Sequence, residues 1–231
     1  MGRTGDPEVV LRSTRQPTDF GARAAALPAL GWFEEAAAIP KLNFNAAARC
    51  RLGRAAEVAA EAGADTTILT IAQGSLLVEA LARGDRAACQ QPCVKLDLGG
   101  AQPECGWFGR SVLVAYARWR VGDQQTFTAT LAQRTGERRW QEVQGQWYAL
   151  SLPAGTIDAQ AYLAQPARSD AANSLPLLQA LQAEMAGRRS EARSGYLAWQ
   201  AKPSRLRSVD AGVYDPVSEL FVSWRLAELR P

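Results

Sequence analysis

The spacing of apolar residues changes character along the chain, and each change predicts a different element. Up to Phe44 the apolar positions Phe20, Leu27, Leu30, Trp32, Phe33, Ile39, Leu42 and Phe44 follow no period. Pro28 and Gly31 interrupt them, and Pro7 and Pro17 break the stretch before them. Such a segment cannot build its own core, so residues 1–45 are expected to form an extended arm lying on the rest of the chain or on a partner. From Ala46 to Ala62 an alanine-rich stretch carries Leu52, Ala55, Val58 and Ala59 on one stripe and predicts a helix. Gly63 suits its C-terminal cap and Asp65 the N-cap of a second helix, Thr66 to Arg83, stopped by Gly84-Asp85. Gly74 is out of place there, since an interior glycine costs about 1 kcal/mol relative to alanine.

From Trp107 the period shortens to two. Leu113, Ala115, Ala117, Trp119 and Val121 alternate with Val112, Val114, Tyr116, Arg118 and Arg120, which predicts a strand over Arg110 to Val121. Gly122-Asp123 reads as a tight turn, Thr126 to Gln133 as a second strand with its threonines outward, and Arg139 to Leu150 as a third. After Pro153 helical spacing returns. One helix carries Leu177, Leu178, Leu181 and Met185 and ends near Gly187. Another, from Ser190 to Lys202, presents Tyr196, Leu197 and Trp199 and stops before Pro203. The tail from Val213 to Leu229 fits a strand followed by a helical turn, and its period does not decide. The expected fold is therefore α+β: helices packed on a curved antiparallel meander, with an extended N-terminal arm and a helical C-terminal region. The boundaries fall at 1–45, 46–150 and 151–231.

Composition narrows the chemistry. The 231 residues are 47% hydrophobic and 21% charged, as in an ordinary globular chain, and include no histidine. That removes imidazole acid–base catalysis, His-dependent nucleophiles and HExxH metal sites. The longest apolar run, Val112 to Ala117, is far short of the roughly 20 residues that cross a bilayer. No basic-then-apolar secretory leader is read at the N-terminus. The arginine-bearing, weakly acidic stretch Val9 to Phe33 tilts the expected location toward an organelle interior. A net charge of +3 is spread without basic runs longer than Arg138-Arg139 and Arg188-Arg189, so nucleic acid is not an expected partner.

Cys50, Cys89, Cys93 and Cys105 lack the paired C-x2-C spacing of a zinc ribbon, and no metal site is expected. A disulfide among Cys89, Cys93 and Cys105 and a set of free or buried thiols both fit the spacing. G-x-S-x-G, S-x-x-K and phosphate-loop patterns are missing, and no cofactor is expected. Asp97, Glu104 and Asp123 in loops or strand ends near the meander, and Glu142 with Tyr116 on its concave side, are the residual candidates for a general base, with solvated surface carboxylates as the alternative.

Two helices, a connecting segment and a meander ending in Gln144-Gly145-Gln146-Trp147-Tyr148 resemble the NTF2-like (cystatin-like) α+β roll over about residues 64–150. That resemblance implies a cone-shaped pocket, which serves isomerases and cyclases in some members and non-catalytic binding or assembly in others. The enzymes usually place an Asp/His or Asp/Tyr set there. The expectation drawn from all of this is a non-catalytic accessory or structural subunit, acting through contacts with other protein subunits in a larger assembly. Phe20, Leu27, Leu30, Trp32, Phe33, Phe44, Trp199 and Trp224 are its candidate partner-binding residues. The alternative is a small-molecule-binding protein, or an isomerase- or cyclase-type enzyme, using the NTF2-like pocket.

Overall fold

Short helices, not an extended arm, occupy residues 20–45. The computed structural model describes residues 8, 20–98, 108–121, 144–165, 171–207, 209–210 and 213–230. It opens with α1 (Phe20–Ala29), α2 (Phe33–Ala37) and α3 (Leu42–Arg51). At 10, 5 and 10 residues these helices are too short to display a period, and each buries only a few side chains. Leu27, Ala36, Ile39 and Ala48 form the small core they share. Pro28 and Gly31 punctuate helices here rather than an extended chain: Gly31, at φ +80°, is the turn between α1 and α2.

The single helix expected over residues 46–62 is two. The turn at Leu52-Gly53-Arg54 separates α3 from α4 (Ala55–Glu61). Next comes α5 (Thr66–Ala82), begun and stopped where the sequence says. The Asp65 carboxylate accepts from the backbone N–H groups of Thr67 and Ile68, both at 3.0 Å. Replacing Asp65 with alanine is expected to cost about 1 kcal/mol, seen as a lower urea midpoint with an unchanged slope. Helix α5 is buried almost all round, and α3, α4 and α6 (Arg86–Leu98) pack against it.

The strand expected over Arg110 to Val121 is a helix. Phe108–Leu113 winds as a π-helix and continues directly into α7 (Val114–Val121). Every residue from Phe108 to Ala117 is buried. The uninterrupted apolar part of this stretch, Val112 to Ala117, matches a two-fold alternation and a buried helix equally well. Of the third expected strand, Gln144 to Leu150 lies in α8 (Gln144–Ala154), so the Gly-Gln-Trp-Tyr segment is helical. Thr126 to Gln133 and residues 139–143 lie outside the described residues.

The remainder runs through α9 (Ala159–Leu163), α10 (Ala171–Met185), α11 (Arg189–Gln200) and α12 (Ser204–Arg207). A ribbon, β1 (Val209–Asp210) with β2 (Val213–Tyr214), precedes the last helix, α13 (Val217–Glu228). Among the described residues that two-residue antiparallel pair is the whole of the strand pairing. An α+β fold built on a meander, and with it the NTF2-like resemblance, is overturned: apart from that ribbon, the regular structure among the described residues is helical.

Helices α10 and α11 form a hairpin around Gly187, at φ +75°. Helix α13 returns to pack on α11, on the π-helical stretch and on α5. The main core joins Leu77, Phe108, Leu113, Leu150, Leu177 and Phe221 across these elements. A second core, with Cys50, Val58 and Ile71, lies between α3, α4 and α5. Among the described residues no helix is long and apolar enough to cross a membrane.

Candidate functional site

The densest polar centre lies inside the main core, around Glu184 in the last turn of α10. Its side chain is among the buried polar groups, at 8% exposure. The Tyr116 hydroxyl of α7 donates to Oε1 at 2.8 Å, and the Tyr196 hydroxyl of α11 donates to Oε2 at 2.8 Å. Arg225 of α13 grips both oxygens, Nη2 at 2.7 Å from Oε1 and Nε at 3.2 Å from Oε2. Four helices thus converge on one carboxylate. A charge removed from water costs several kcal/mol unless it is paired and hydrogen-bonded, and the bidentate arginine with two hydroxyls meets that condition.

The network extends outward along α13. Arg225 also pairs with Glu228, whose carboxylate accepts from Trp224 Nε1 at 3.0 Å and from Arg120 Nη2 at 2.8 Å. Aromatic rings pack round the centre edge to face: Tyr116 on Phe221 at 4.9 Å and on Trp119 at 5.2 Å, with the Arg225 guanidinium 4.6 Å over Trp224. Burial, reinforced by the Glu184 charge, pushes the Tyr116 and Tyr196 hydroxyls well above their ordinary range, so both stay protonated as donors. Chemically this is a clamp. Both carboxylate oxygens are engaged by an arginine and a tyrosine, and the geometry suits holding helices together rather than moving protons.

A second centre joins the two ends of the described chain. Glu219, in the first turn of α13, accepts from the Tyr214 hydroxyl at 2.7 Å, from Arg207 Nε at 3.1 Å and from Ser204 Oγ at 3.2 Å. Arg51 of α3 approaches it at 3.9 Å, with its guanidinium 5.3 Å over the Phe33 ring of α2. Phe33 in turn lies 6.0 Å from the Tyr214 ring.

The residues expected to bind a partner are not gathered into one surface. Leu27 and Trp199 are buried in the protein's own interior, Trp199 at 1% exposure beneath the Arg207 guanidinium. Leu30, Phe33, Phe44 and Trp224 are half-buried, Trp224 with its indole N–H already bonded to Glu228. Phe20 begins α1. Trp32 differs from all of these: it stands 52% exposed at the turn between α1 and α2. Its backbone is fixed there by a bond from its N–H to the Leu27 carbonyl at 2.9 Å.

Tyr116 does not face a pocket, being fully buried against Glu184 and Trp119. Asp97 lies on α6, while Glu104, Asp123 and Glu142 fall outside the described residues. A groove of about 420 Å³ lies between α10 and the α8–α9 connection, lined by Gly155, Thr156, Asp158, Gln179 and Gln182. Its polar groups largely hold that connection: Thr156 Oγ1 donates to the Ser151 carbonyl at 3.1 Å, Asp158 caps α9, and Gln182 donates to the Leu152 carbonyl at 3.3 Å.

Cys50 and Cys89 are buried free thiols, so a Cys89–Cys93 bridge is not formed, although both cysteines sit on α6. Cys105 is outside the described residues. Among the described residues no group of three or more potential ligands is placed to hold a metal. Burial, against an opposing hydrogen bond with Ser75, pushes the Cys50 thiol up to about 12. At pH 8 it is therefore almost wholly protonated and shielded. Iodoacetamide is expected to leave Cys50 unmodified in the native protein and to alkylate it after unfolding, as read by peptide mass spectrometry.

Comparison with protein-family models, with curated proteins and with solved structures gives no match, and what can be inferred about function rests on this chain's own geometry.

Proposed function

We propose that the protein is a non-catalytic subunit that works by contact with other proteins in a larger assembly, with the α1–α2 junction as a contact surface. Trp32 carries this reading. A half-exposed indole held on a fixed turn offers a large apolar body with a polar N–H at little cost in ordering, the combination found in interface anchors. Leu30 and Phe33 lie beside it, both partly exposed. The non-catalytic part of the reading is supported by the engagement of Glu184 and Glu219 in clamps between helices. It is supported too by the high-lying hydroxyls of Tyr116 and Tyr196, which act as donors to a fixed acceptor.

The test places a photo-crosslinking amino acid at position 32 in the cells that make the protein, with the exposed position 201 as the control. The expected result is a discrete adduct between position 32 and another protein, missing from the control. Crosslinks confined to the chain itself, or none at position 32 while the full chain runs as a monomer in light scattering, would overturn the proposal.

A further inference from the structure

We draw no further inference here: the strongest candidate, the exposed Trp32 with the neighbouring Glu34 and Glu35 carboxylates at the junction of α1 and α2, belongs to the contact surface already described, and nothing in the structure shows what covers it.

Discussion

Replacing Glu184 with alanine is expected to destabilise the protein by about 3–5 kcal/mol, the range seen when one partner of a buried ion pair is removed. The reason lies in what remains. Arg225, 3% exposed, would keep Glu228 but lose both oxygens of its bidentate partner inside the core. The Tyr116 and Tyr196 hydroxyls would each lose the acceptor they now reach at 2.8 Å. Urea unfolding followed by tryptophan fluorescence would measure the loss. The sharper observation is the pair. Glu184→Leu combined with Arg225→Met removes the stranded charge and leaves apolar volume, so the double variant should be more stable than Glu184→Leu alone. If the two losses simply add, the coupling is missing and the four-helix clamp is not what holds α10 and α13 together.

The parts of this fold that are legible in sequence are those marked by chain chemistry at their ends. Gly63, Asp65 and Gly84 bracket α5, and Gly187 and Pro203 bracket α11, because caps and stops act within a few residues and do not depend on tertiary context. The meander failed for the opposite reason. Between Val112 and Ala117 every residue is apolar and buried, so no polar face is left to reveal the period, and β-branched valines beside leucine and alanine suit either conformation. The N-terminal helices escaped because a helix of 5 residues, or of 10, makes too few turns for a stripe to show.

The clamp leaves a signal in the sequence. Leu177, Leu181 and Glu184 recur at helical spacing, as do Phe221, Val222 and Arg225, so each charge falls on an apolar stripe. A carboxylate and a guanidinium in such positions call for a partner. Spacing also separates the tryptophans: Ala192, Tyr196 and Trp199 form the inward stripe of α11, whereas Trp32 follows a glycine at a helix break. What spacing could not supply is the pairing of Glu184 with Arg225, 41 positions away, which depends on how α10 and α13 meet.

Gly74, the misfit of α5, is where α13 crosses that helix most closely. A Cβ added at Gly74 would stand 2.8 Å from Cγ2 and 3.1 Å from Cγ1 of Val217, in the first turn of α13. Val217 is buried, and its branched side chain has few rotamers with which to yield. Gly74→Ala should therefore cost about 1–3 kcal/mol through overpacking, although in an exposed helix the same change would gain about 1 kcal/mol. Truncation at the other side should relieve it: with Val217→Ala present, Gly74→Ala should be close to neutral, and the double variant more stable than the two single losses predict. Gly195 makes a contrasting control, because its added Cβ would meet not only Ala180 Cβ at 2.8 Å but also the Pro176 carbonyl oxygen at 3.2 Å and Ala180 Cα at 3.3 Å. Trimming Ala180 to glycine removes the first of these but leaves the two backbone contacts, so it should rescue Gly195→Ala only in part. A Gly74→Ala variant as stable as the parent would mean that α5 and α13 do not cross this closely, and the clamp at Arg225, carried on the same helix, would lose its footing with them.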